Sequence, residues 1–190
     1  MDKVTVKDFF NIPNCLCYFR ILLIPVFFMF YFQSDGQIDY IISALILIVS
    51  GLTDFLDGYI ARRFNMVTDL GKLIDPVADK LTQFSVAVAL VYTYSWMWLL
   101  VAIIILKDGM LAFASLYLFG KGEKIKGASW WGKIATALFY FVVIILIGLH
   151  IPDSILPTAL ILICSFFMTM SLILYAKQLY QMIQENKNHG

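Results

Sequence analysis

Charge is what this chain has least of. Only 14% of its 190 residues are charged, about half the share of an ordinary soluble domain. Fourteen Lys and Arg against thirteen Asp and Glu leave a formal net charge of +1, which gives no field for steering nucleic acid. Cysteine is scarce too. Cys15, Cys17 and Cys164 are odd in number and lack C-x-x-C spacing, so neither a disulfide framework nor a zinc site is indicated. They read as small apolar side chains. Internal repeats, low-complexity stretches and a separate soluble domain are all missing. What is abundant is apolar: 61% of residues are hydrophobic and the mean hydropathy is +0.84. A disordered chain and a freely soluble globule are excluded, which leaves an all-α polytopic membrane protein.

A membrane span needs roughly 20 mainly apolar residues. Residues 154–176 supply 23 without a charge, and 134–149 lie between Lys133 and His150. Between Lys80 and Lys107 are 26 uncharged residues, interrupted by the polar, aromatic patch 92–96. That patch reads as a turn between spans at 71–93 and 97–119. Two more, at 16–33 and 38–60, bring the expected total to six. The first is no secretory signal, because 21–32 run into Gln33, Ser34, Asp35 and Gly36 without a small-residue cleavage pattern. Residues 1–14, with Lys3 and Lys7 beside Phe9, Phe10 and Ile12, suit a short interfacial segment, and Pro13 is expected to mark the bend into the first span. Residues 180–190 read as a polar, solvated tail. The whole is expected to form one domain.

The distribution of charge agrees with this count. The connections at 33–37, 92–96 and 150–153 contain no Lys or Arg, so the positive-inside rule puts both termini and the 60–72 and 120–133 loops in the cytoplasm. All four tryptophans (Trp96, Trp98, Trp130 and Trp131) fall at expected interfaces.

The informative stretch is 50–83. Acids are expensive at membrane depth, and this region places four in or beside the cytoplasmic ends of two helices. Asp54 and Asp57 are three apart and point the same way on a helix, with Ala61 continuing their face. Gly71, Asp75 and Asp79 follow one another by four and form a second stripe. Two such helices can converge four carboxylates on one cavity. Like charges raise one another's pKa, so such a cluster calls for cations, and oxygen-only ligands favour two ions of Mg²⁺ or Mn²⁺ over zinc. Paired divalent ions are a known device for phosphoryl displacement. Gly58 and Ala61 present almost no side chain, so a flat or charged ligand can approach the backbone.

Taken together these positions read D-x2-D-G-x2-A-R-x8-G-x3-D-x3-D: Asp54, Asp57, Gly58, Ala61, Arg62, Gly71, Asp75 and Asp79. Eight fixed positions arise by chance roughly once in 10¹⁰ placements. The pattern resembles the signature of the CDP-alcohol phosphatidyltransferase family, with every fixed position matched. The resemblance implies six membrane helices, a cytoplasm-facing site, a homodimer and two bound cations. It makes Asp54, Asp57, Asp75 and Asp79 metal ligands, with Asp79 also the base for the acceptor hydroxyl. It lines the nucleotide pocket with Asp54, Gly58, Ala61, Arg62 and Gly71. The implied reaction is attack of an alcohol on the phosphate that bears the lipid of CDP-diacylglycerol, with CMP leaving. A bacterial inner membrane is the expected location.

Three further segments, N-I-P-N-x-L-x3-R (11–20), D-P-x-A-D-K (75–80) and A-S-W-W-G-K-x-x-T (128–136), look like the phosphatidylglycerophosphate synthase branch, whose acceptor is glycerol 3-phosphate. Cys17 stands where that branch commonly has threonine, and Lys107-Asp108 where it commonly has Arg-Glu. A basic–acidic pair there also looks like the cardiolipin synthase branch, which leaves phosphatidylglycerol open as the acceptor. Glycerol 3-phosphate would need cationic side chains beyond the metals, for which Arg62, Lys107 and Lys133 are the candidates. An ion transporter is the alternative of another class. Transporters often show paired halves with matching broken helices, whereas here all four acids sit in one hairpin.

Overall fold

In the computed structural model the described residues are 11–68, 70–120 and 130–188. They form six helices: α1 (Ile12–Phe32), α2 (Gln37–Arg63), α3 (Gly71–Val91), α4 (Met97–Gly120), α5 (Trp130–Gly148) and α6 (Ile155–Asn188). There is no strand among the described residues. Five of the six are long and apolar enough to cross a membrane, which marks an integral membrane protein. The exception is α3. It has 21 residues, but Lys72, Asp75, Asp79 and Lys80 occupy its first ten positions, and its apolar run starts only at Leu81.

Each helix falls on an expected span, and the differences lie at the ends. Helix α1 starts at Ile12, so Pro13 sits inside its first turn instead of in a bend before it. A first-turn N–H has no helical acceptor, and proline gives up nothing there. Helix α5 begins at Trp130, and α6 continues as helix to Asn188 through much of the stretch read as a tail. The interfacial segment falls mainly on residues 1–10, which lie outside the described residues, as do Asp69, most of the 120–133 loop (121–129) and 189–190.

The chain divides into two compact units. The first takes the described residues up to Ala89 together with Val143–Ile151, and the second takes those of Leu90–Val142 and Pro152–Gly190. In the first unit α1 packs against α2. Its core is built from Phe27, Tyr31, Ala44 and Leu47, the buried alanines on both sides of α3 (Ala78, Ala87, Ala89), and Leu146 and Ile147. Close approach matters here: a methyl added at Gly148 would stand 3.3 Å from the Ala44 side chain. Just beyond, His150 has a positive φ of 42° and stacks on Tyr40 with ring centroids 3.6 Å apart.

In the second unit α4 packs against α6 around Leu100, Ile104, Ile161, Cys164 and Met168. Gly132 permits tight contact with Tyr175, since a methyl there would lie 2.5 Å from its hydroxyl. The turn at 92–96 is tied down by Asp153, whose Oδ2 accepts from Ser95 Oγ (2.7 Å) and from Ser95 N (3.2 Å).

Candidate active site

The site is built by the turn between α2 and α3 and by the start of α1. Helix α2 closes with a last α-helical bond from Phe64 N to Ile60 O at 3.0 Å and then the 6→1 bond typical of a Schellman end, Met66 N donating to Ala61 O at 2.9 Å. Asn65 takes the left-handed position this requires (φ 55°), which asparagine tolerates better than most residues. Thr68 then opens α3, its Oγ1 accepting from Gly71 N at 3.0 Å. Two asparagines of α1's first turn secure this loop. Asn11 Nδ2 donates to Met66 O (2.9 Å), and the buried Asn14 donates through Nδ2 to Thr68 Oγ1 (3.3 Å). Gly71 is glycine for want of room: a methyl there would stand 2.6 Å from Asn14 Oδ1 and 3.1 Å from Thr68 Oγ1.

This knot leaves a cleft of about 160 Å³. Gly58, Ala61, Arg62 and Gly71 line it together with Asp57 and Asp75, so one concavity gathers most of the residues expected around the nucleotide. The Arg62 side chain folds back over Gly58, its Nη2 3.4 Å from where a β-carbon would be. Arg63 turns to Tyr59 instead, donating to its hydroxyl at 2.8 Å.

The acids meet at Arg20. This residue is the single charge of α1, 2% exposed. Its Nη1 lies 2.8 Å from Asp54 Oδ1 and 3.4 Å from Asp75 Oδ1, and its Nη2 2.5 Å from Asp57 Oδ2. Asp57 is the deep member, its side chain 5% exposed against 49% for Asp54 and 48% for Asp75. Asp79, one turn beyond Asp75, is near enough to Asp54 for the two charges to act on each other. One guanidinium among three carboxylates leaves the cluster net negative. Cys17 completes it, donating through Sγ to Asp57 Oδ2 at 3.4 Å. The Cys17 sulfur and one oxygen each of Asp57 and Asp75 lie within 4.8 Å of one another, close enough to hold a metal ion. A net-negative, partly exposed carboxylate cluster beside a cleft fits a divalent cation chemically.

Arg20, Cys17 and Asn14 were not among the site residues expected from the sequence. A signal for Arg20 was there: a lone arginine in an otherwise apolar helix needs a buried partner. Asn14 and Arg20 also stand at fixed positions of the segment 11–20 that resembles the synthase branch, and Cys17 at a departure from it, but the part each plays depends on how α1 lies against the loop. Lys107 and Lys133 belong to the second unit. Lys107 is 2% exposed, with Nζ 3.5 Å from Met168 Sδ and 3.8 Å from Asp108 Oδ1, whereas Lys133 is exposed on α5.

A cluster of acids on two consecutive helices thus lies beside a cleft floored by small residues. The sequence matches the model of the CDP-alcohol phosphatidyltransferase family over residues 10–183, and the chain belongs to that family. Among curated relatives, it is 38% identical over 130 residues to the CDP-diacylglycerol--glycerol-3-phosphate 3-phosphatidyltransferase of Haemophilus influenzae, covering 67% of this chain and 70% of that protein. It is 32% identical over 138 residues to the Bacillus subtilis protein of the same name (67% and 71%). The Rickettsia typhi protein, again of that name, is 45% identical over a shorter 71 residues, covering 37% of this chain and 39% of its own.

Proposed function

We propose that this chain transfers the phosphatidyl group of CDP-diacylglycerol to glycerol 3-phosphate, giving phosphatidylglycerophosphate and CMP. The observation that carries the acceptor is the pair of relatives matched over two thirds of the chain, both named for that reaction.

Members of the family use divalent metals, and Asp54, Asp57, Asp75 and Asp79 would hold two ions of Mg²⁺ or Mn²⁺, with Cys17 beside them. Bound there, such ions balance the carboxylates and polarise the phosphate oxygens of the donor. The chain's own residues do the rest. Gly58, Ala61 and Gly71 keep the cleft clear for the nucleotide, and Arg62 offers its guanidinium to the diphosphate. Asp79 accepts the proton of the acceptor hydroxyl as its oxygen bonds to the phosphorus that bears the lipid. The bond from that phosphorus to the CMP oxygen breaks, and CMP leaves.

Arg62, Lys107 and Lys133 are proposed to meet the acceptor's phosphate. Lys107 decides this part. If it binds that phosphate, Lys107→Gln raises the KM for glycerol 3-phosphate well above any change for CDP-diacylglycerol. Equal effects on both substrates assign it to its contacts with Asp108 and Met168. We further propose a homodimer in a bacterial inner membrane, with both termini and the site cytoplasmic, as the one-sided lysines and arginines indicate.

The test is an acceptor screen on purified protein, following CMP release from CDP-diacylglycerol. Release that needs Mg²⁺ or Mn²⁺ together with glycerol 3-phosphate is the expected result. Activity with phosphatidylglycerol alone would transfer the chain to the cardiolipin synthase branch. No metal-dependent release with any alcohol would sink the enzymatic reading.

A further inference from the structure

Arg20 raises a question that the reaction does not answer. A metal centre made of carboxylates gains nothing from a buried arginine among its ligands, since a fixed positive charge repels the cations the site is there to hold. Yet the guanidinium takes an oxygen from each of Asp54, Asp57 and Asp75, with both Nη atoms engaged. Two observations show that this is an incomplete resting place. The single charge leaves the three carboxylates net negative. And Arg20 Nε, on a residue 2% exposed, has no hydrogen-bond partner among the described residues, although arginine carries five donors and a buried one left unmade is destabilising.

We propose that Arg20 is the internal counter-ion of the metal-free site, competing with divalent cations for the oxygens of Asp54, Asp57 and Asp75. Without metal it holds α1, α2 and α3 together at the carboxylates, which would otherwise repel one another. As cations bind, the guanidinium yields these oxygens. The apparent affinity for metal is therefore weaker than the carboxylates alone would give, because part of the population is closed by its own arginine. Arg20 is on this account a positioning residue. The inference rests on the metal reading given above.

The experiment uses the full chain in detergent, with Arg20→Gln and the charge-keeping Arg20→Lys. Mn²⁺ binding is followed by the paramagnetic resonance of the free ion, and thermal unfolding is measured with and without Mn²⁺. Arg20→Gln should bind Mn²⁺ about tenfold more tightly than wild type, with Arg20→Lys nearer wild type. Its unfolding temperature should fall below wild type in chelator and recover when Mn²⁺ is added. Should Arg20→Gln fail to fold, the wild-type chain carries the test. It has three arginines, so ¹⁵N-arginine labelling gives a simple guanidinium spectrum, in which Arg20 is identified by its loss in Arg20→Lys. Mg²⁺ should move the Arg20 signal in step with site occupancy. Unchanged or weaker Mn²⁺ binding in folded Arg20→Gln, or an Arg20 signal that stays put while Mg²⁺ binds, overturns the proposal and makes the guanidinium a fixed brace. A wild-type chain that binds no Mn²⁺ at all refutes the metal reading itself, and this inference with it.

Discussion

Asp57 and Asp75 share Arg20 but stand in different surroundings, and substitution should separate them. Either change to Asn removes a carboxylate from the proposed metal site, so turnover should fall by at least about 10²-fold in both, the scale set by losing one electrostatic contact to a transition state. Stability should divide them. Asp57 is buried and closest to Arg20, and stripping one partner from a buried ion pair costs about 3–5 kcal/mol, less here because Arg20 keeps Asp54 and Asp75. Half-exposed Asp75 can be replaced by water. Thermal unfolding in detergent should rank Asp57→Asn below Asp75→Asn, and the opposite order would show that Asp57 is not the main anchor of Arg20. Asp79 is distinguished by function. As the base, Asp79→Asn should lose transfer yet still bind CDP-diacylglycerol. Donor binding lost in step with rate would leave it a metal ligand only.

At the scale of helices, glycines report where elements touch. Gly71→Ala pushes a methyl against Asn14 Oδ1, and Asn14 is buried and tied to Thr68, so it cannot step aside without releasing the loop. Overpacking of this kind costs about 1–3 kcal/mol. On α4, Gly109 has nothing within 4 Å of an added methyl, and alanine there should be neutral or stabilising by up to about 1 kcal/mol through helix propensity. Melting curves of both variants check the contrast, and an unperturbed Gly71→Ala would refute the packing account. The six helices could be read in advance because apolar runs and charge-free turns depend on composition over about 20 residues. The face shared by Asp54 and Asp57, and that shared by Gly71 and Asp75, followed from helical period alone. Helix ends were less legible: α6 runs on to Asn188 through polar residues that suggested a tail. Least legible was the α1 contribution, because Asn11, Asn14, Cys17 and Arg20 gain their meaning from partners 37 to 55 residues away.

For the molecule as a whole, orientation is the proposal most open to direct measurement. With Cys15 replaced by Ser, and Cys17 and Cys164 buried, a cysteine introduced at Asp35 or Ser154 should react with an impermeant reagent on intact cells, and one introduced at Lys124 should not. Reversed labelling would put the site away from a cytoplasmic nucleotide. The Arg20 ion pairs also bear on how the protein is made. Arg20 sits about 12 Å along α1 from its first residue, and its carboxylate on Asp57 is 37 residues further along the chain. At ordinary rates of translation that is about 2–7 s of synthesis. Through that interval the first helix presents an uncompensated guanidinium to the bilayer, at about 2.5–3.5 kcal/mol on insertion scales if it sits at the helix centre. Helix α1 alone is therefore expected to insert less readily than α1 followed by α2, a difference that an insertion assay on the two lengths of chain would measure.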